Sequence, residues 1–270
     1  MVGSLLGLLG MVGVLGITGS LGMMATNVQG QVAPVSMMDV TAGSLHLGSN
    51  PASIFKTATG YQVQLAVEVP FGLPELQRSW FQLGFARGAW RTGLRLSHSG
   101  FDQLKETEMA GSGARILSQK YAVGVRVGLQ ILQPGVLPKV YRPFWTIGLE
   151  APLIGTLMAS AAVQKEALAH QGIVSPTRLL VGGRVQIAPA AEGVVQAVIS
   201  NARSLSMESL LRLRPVPWLS LDLGYETGRS MIFSGLFFTT RRMLASIHSS
   251  WHPVLGISTG FSLSWTSGGG

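Results

Sequence analysis

From residue 60 onward, apolar residues recur at every second position instead of gathering in blocks. Tyr61, Val63, Leu65, Val67 and Val69 alternate with Gln62, Gln64, Ala66 and Glu68. Tyr121, Val123, Val125, Val127, Leu129 and Ile131 alternate with Ala122, Gly124, Arg126, Gly128 and Gln130. Leu219, Leu221, Leu223 and Tyr225 do the same against Ser220, Asp222, Gly224 and Glu226. A strand repeats its side-chain direction every two residues, so each segment has one apolar and one polar or small face. The mean hydropathy is nevertheless +0.37, with 47% apolar and only 12% charged residues. Hydrophobicity dispersed in this way excludes a disordered chain and argues against an ordinary soluble enzyme. A transmembrane β-barrel produces it, because each crossing strand shows lipid only alternate side chains.

The fold class expected is therefore all-β, a transmembrane antiparallel up-and-down barrel of fourteen strands (twelve to fourteen). The strands are predicted at 60–69, 79–87, 89–98, 106–116, 120–131, 143–151, 156–165, 178–188, 193–200, 206–214, 218–226, 231–240, 243–252 and 256–265. Connections after even strands read short, whereas those after odd strands tend to be longer, as at 70–78, 132–142 and 166–177. That asymmetry is characteristic of outer-membrane barrels, and an even strand count returns both ends of the sheet to the short-turn side. A soluble sandwich would also alternate, but its commonest strands are only ~5–6 residues long. The polar faces hold glycine, alanine and serine among arginine and glutamate, which suits a narrow, crowded lumen.

Residues 1–30 carry no charged side chain, and Met1–Met24 is almost wholly apolar. Val28 and Gly30 stand at the −3 and −1 positions of a small-residue cleavage site before Gln31, the pattern of a secretory signal. The expected organisation is a signal peptide over 1–30, a plug or tether over 31–59 and the barrel over 60–266. Residues 31–59 lack alternation and contain Pro34, Asp39, Gly48 and Pro51. Asn50-Pro51-Ala52 makes a turn, since Pro51 fixes φ and Asn50 can bond its own backbone. A free tether would leave Leu45, Leu47, Ile54 and Phe55 in water, so this turn is expected to fold inward as a lumen plug.

The chain carries 20 basic and 12 acidic residues, a net charge of +8. The basic residues are spaced singly through apolar alternation, so nucleic acid is not expected as a partner. Arg91, Arg95, Arg126, Lys165, Arg184, Arg212 and Arg214 fall on polar faces, with Glu68, Glu150, Glu208, Asp222 and Glu226. Charges removed from water need partners. A lumen charge network is expected to include Arg91, Arg95, Arg126, Arg212, Asp222 and Glu226. Pairing around Pro215-Val216-Pro217 sets Arg212 opposite or diagonal to Asp222.

Catalytic, metal and cofactor sites are not expected, and the chain does not read as an enzyme. Absence of cysteine excludes thiolate ligands and a cysteine nucleophile. His248 and His252 share a strand face, but four residues of strand separate them by about 13 Å, too far for one metal ion. No acid stands at a spacing that singles out a triad.

The element Leu47-Gly48-Ser49-Asn50-Pro51-Ala52 before the first strand resembles the N-terminal region of FadL-like barrels. It is closer to the PorV/PorQ-type outer-membrane proteins of Bacteroidota and related phyla. Further matches are Pro70-Phe71-Gly72-Leu73-Pro74-Glu75-Leu76, Leu221-Asp222-Leu223-Gly224-Tyr225-Glu226 and the stretch from His252-Pro253 to Phe261-Ser262-Leu263. The resemblance implies a bacterial outer-membrane protein in contact with outer-membrane lipid. It implies service as a subunit or adaptor in type IX secretion or surface attachment, with a secretion-system protein as partner. The FadL-like side implies instead a passive channel holding a small hydrophobic molecule in its lumen.

Overall fold

Alternation in β1 (Gly60–Val69) sets the pattern of the whole wall. Gln62, Gln64, Ala66 and Glu68 turn inward and are buried, while Tyr61, Leu65 and Val67 stand exposed outside. The computed structural model describes residues 50–53, 60–118, 121–166, 177–200, 203–228 and 230–267. After β1 come β2 (Arg78–Arg87), β3 (Trp90–Phe101), β4 (Leu104–Ile116), β5 (Ala122–Gln133), β6 (Val140–Pro152) and β7 (Met158–Glu166). The second half contains β8 (Thr177–Ala188), β9 (Ala191–Ser200), β10 (Arg203–Val216), β11 (Leu219–Glu226), β12 (Met231–Thr239), β13 (Met243–His252) and β14 (Gly256–Thr266). Each lies within three residues of its expected bounds. The export segment 1–30 and most of 31–59 lie outside the described residues.

Each strand pairs antiparallel with its chain neighbours, and β14 returns to β1 to close the barrel. Closure leaves no row of unpaired backbone groups facing lipid. The seam runs from Gln62 opposite Thr266 to Val69 opposite Thr259. Val63, Leu65 and Val67 meet Trp265, Leu263 and Phe261 on its outer face, whereas Gln64 and Ala66 meet Ser264 and Ser262 inside. Cross-strand pairs of this kind fix the register, because a slip of one residue would turn every apolar side chain inward.

The outer surface is a continuous apolar belt that includes Leu65, Val127, Ile147, Leu223, Ile247 and Phe261. So large an apolar surface is stable only against lipid. Among the described residues no helix is long and apolar enough to cross a membrane, and the apolar belt is borne by the strands. Exposed aromatic residues ring both rims, as in outer-membrane barrels: Tyr61, Trp90, Tyr121, Trp218 and Trp265 at one, Tyr141, Tyr225 and Trp251 at the other.

Connections after even strands, such as 88–89, 189–190 and 217–218, close the end where β1 begins and β14 finishes. Short turns face the periplasm in barrels of this kind. At the outer end the connection 70–77 forms two 3₁₀ turns, while 102–103 is as short as any periplasmic turn. The chain there is absorbed into strands, since β3 and β4 run on to Phe101 and begin at Leu104. Lys165 corrects one expectation. It is exposed on the outer face of β7, and Gln164 and Glu166 on either side of it turn inward.

Candidate functional site

The lumen is where the inward faces converge, and much of its charge is paired. Arg212 on β10 stands directly opposite Asp222 on β11. Its Nε and Nη2 donate to the two carboxylate oxygens at 2.7 and 2.6 Å, a bidentate pair with almost no solvent access. The Phe237 ring lies 5.5 Å from the same guanidinium. A second unit repeats this arrangement on the far wall. Arg126 on β5 donates to Glu108 on β4, and the Phe144 ring of β6 lies 5.4 Å from it. In each unit the carboxylate and the ring face answer the cation that the lumen desolvates.

Arg184 on β8 links two further acids, Glu150 at 3.1 Å and Glu192 at 3.3 Å, and Arg214 reaches Glu192 at 3.3 Å. Arg178 pairs with Glu166 at 3.4 Å. Other residues singled out from the sequence sit differently. Arg91 folds back on its own turn, donating to the carbonyls of Gly88 and Trp90 at 2.6 and 2.9 Å. Arg95 lies opposite Gln82 and Ala110, and its Nε has no hydrogen-bond partner. Glu226 stands opposite another acid, Glu208, on the inner wall near the outer end.

Between the charged sectors the wall changes character. Leu210, Phe233, Phe237 and Leu244, backed by Val194, form an apolar cluster on the inner faces of β9, β10, β12 and β13. Beside it runs a hydroxyl-rich stripe, where Ser246 and Ser262 hydrogen-bond at 2.7 Å and Gln62 donates to Ser264 at 3.2 Å. His248 is buried on this stripe, and neither ring nitrogen has a hydrogen-bond partner. His252 instead accepts the backbone N–H groups of Val254 and Leu255 and orders the last outer turn. No group of three or more side chains able to hold a metal ion occurs among the described residues.

Glycine makes room for these rings. Gly128 lies opposite Phe144, Gly224 opposite Phe233, and Gly260 opposite His248. In every case a methyl group on the glycine would overlap the ring. An aromatic side chain covering a cross-strand glycine protects the exposed ladder and packs the narrow lumen. At these three positions glycine on the inner face has a steric cause.

A turn is held against the wall at each end of the barrel. Pro51 and Ala52 are buried against the inner wall of β4, β5 and β6 near the periplasmic end. Asn50 Oδ1 accepts the Ala52 N–H at 2.9 Å, and its Nδ2 donates to the Leu149 carbonyl at 3.1 Å. The turn is thereby tied to its own backbone and to a wall strand. At the outer end the Phe71 N–H donates to Ser258 Oγ at 3.0 Å, and the Phe71 ring meets His252 edge-on. Phe71 holds a left-handed φ of 55° to make that bend, a conformation an aromatic residue adopts only under local constraint.

No family model matches the chain, and no curated protein matches it in sequence. Solved structures do match. The CymD monoaromatic hydrocarbon channel aligns over 88% of this chain and 98% of its own, with a TM-score of 0.65 at 10% identity. The Ralstonia pickettii toluene transporter TbuX aligns over 81% and 92%, with a TM-score of 0.61 at 10% identity. The Acinetobacter baumannii outer membrane protein Omp33 aligns over 77% and 98%, with a TM-score of 0.55 at 8% identity. The fold is that of a bacterial outer-membrane β-barrel. At such identities the likeness establishes architecture, so the chemistry of this lumen rests on its own residues. An ion-paired wall can fix the shape of the lumen, and a packed apolar sector interrupts it on the inner faces of β9, β10, β12 and β13.

Proposed function

We propose that the protein is a passive outer-membrane channel for small hydrophobic compounds, monocyclic aromatics among them. The observation that carries this reading is the inward apolar cluster of Leu210, Phe233, Phe237 and Leu244, the largest of three apolar clusters on the inner wall among the described residues. A water-filled ion pore gains nothing from such a cluster. A hydrophobic solute gains about 25 cal/mol for each Å² of apolar surface it removes from water there. The likeness to barrels described as hydrocarbon and toluene carriers supports the same reading. The sequence resemblance ranks a PorV/PorQ-like secretion adaptor first and the channel second. The inward cluster reverses that order, and the adaptor role now rests on the sequence resemblance alone.

Uptake measurements test the channel. Cells with an intact outer membrane, expressing the full chain, should take up a fluorescent naphthylamine probe several-fold faster than cells carrying an empty vector. A Phe233→Asp/Phe237→Asp variant, matched for surface level and heat-modifiable migration, should lose most of the gain. Uptake no faster than in the empty-vector cells would overturn the proposal.

A further inference from the structure

We infer that the periplasmic rim of β2, β3 and β4 is a binding site for an anionic phospholipid of the surrounding bilayer. Arg87, Trp90 and Arg115 stand side by side in one cross-strand row, Arg87 opposite Trp90 and Trp90 opposite Arg115. All three are exposed on the outer face. The Arg115 guanidinium lies 5.1 Å from the centre of the Trp90 ring. Stacking on the indole holds that cation in place and leaves its in-plane N–H groups for an acceptor. Neither arginine has an ion-pair partner among the described residues.

Charge distribution decides what acceptor fits. Every acidic side chain among the described residues faces the lumen except Glu75 and Asp102, and those two lie at the outer end. Among the described residues the periplasmic rim therefore offers these cations no carboxylate. It does place them beside a rim tryptophan, at the depth where barrels meet lipid headgroups. A phosphate or phosphodiester with net negative charge completes the row.

The wall next to the row fits the rest of such a molecule. Gly113 and Gly111 are the next outward positions on β4, and a methyl group built on either meets nothing within 4 Å. Leu94 on one side and Val125 and Val127 on the other stand above this floor. A shallow, mainly apolar groove, flanked by Thr92 beside Gly113, thus runs about 13 Å from Arg115 toward the bilayer centre, where an acyl chain would lie. Headgroup cations and chain groove are continuous, which selects a bilayer lipid over a free phosphate ion.

The test uses the full-length barrel purified in mild detergent and titrated with phosphatidylglycerol or phosphatidylethanolamine. Bound lipid is counted by native mass spectrometry. Phosphatidylglycerol should be retained, and the Arg87→Gln/Arg115→Gln variant should bind it at least tenfold more weakly while keeping its heat-modifiable migration. The Arg87→Gln single variant should fall between the two. An Arg241→Gln/Arg242→Gln variant, altered at another periplasmic turn, should bind as the unaltered protein does. Equal retention of phosphatidylethanolamine, equal loss in the Arg241/Arg242 variant, or displacement of the lipid by inorganic phosphate would each overturn the inference. Unchanged retention after loss of Arg87 and Arg115 would do so as well.

Discussion

Gly124 on β5 and Gly148 on β6 face each other across the ladder, and the Asn50-Pro51-Ala52 turn occupies the space their missing side chains leave. A Cβ on Gly124 would come 2.6 Å from the Ala52 nitrogen, and one on Gly148 would come 2.8 Å from Pro51 Cδ. The turn can be seated this deeply only because both positions are glycine. We propose that in this seat it narrows the periplasmic end of the lumen. Gly148→Leu should expel it and raise single-channel conductance in planar bilayers severalfold over the unaltered barrel. Unchanged conductance would mean that the turn does not restrict the path.

The Arg212–Asp222 pair allows a sharper test of lumen energetics. Asp222→Asn leaves a buried guanidinium without its counter-charge and should cost about 3–5 kcal/mol. Adding Arg212→Gln should recover part of that loss. Urea unfolding of the reconstituted barrel measures both. A double variant no more stable than the single would show that the pair is not coupled.

Leu223 is exposed on the outer face of β11, whereas Ser220 is buried on the inner one. Leu223→Arg should destabilise the barrel by about 2–4 kcal/mol if it lies near the bilayer midplane, and Ser220→Ala should have little effect. Equal effects would reverse the assignment of faces.

Gly224→Val connects packing to transport. Its side chain would collide with the Phe233 ring and force that ring off the inner wall. Overpacking of this sort costs about 1–3 kcal/mol. Probe uptake should fall with it while the barrel still forms. A variant with normal uptake would remove Phe233 from the proposed path.

Much of this architecture is legible in the sequence because β1, β5 and β11 are clean two-phase patterns. Their inner and outer faces differ so strongly that the register has one solution. The Arg212–Asp222 juxtaposition follows from the alternation of both strands, whereas the one-residue register shift between Leu213 and Val216 is not visible in the turn itself. β12 is different. Met231, Phe233 and Phe237 face inward, but Ile232, Leu236 and Phe238 face lipid, so alternation carries no phase and the apolar cluster stays hidden. Lys165 misleads for a related reason: it lies in three consecutive polar residues at the end of β7, where the alternation is lost. The aromatic-over-glycine pairs depend on which residues of two strands end up opposite each other, information no single strand contains.

The seam between β1 and β14 also has a kinetic consequence. Every other ladder joins strands adjacent in the chain and can form as a local hairpin, whereas the seam brings Tyr61 to Ser267 across 206 residues. Loop closure over such a span is the slow, entropically costly step. Until it happens, both terminal strands present open edges that invite pairing with another chain. Folding of this molecule should therefore consist of many fast hairpin steps and one late closure, and variants of Leu65, Val67, Phe261 or Leu263 should slow assembly more than equivalent changes within any hairpin.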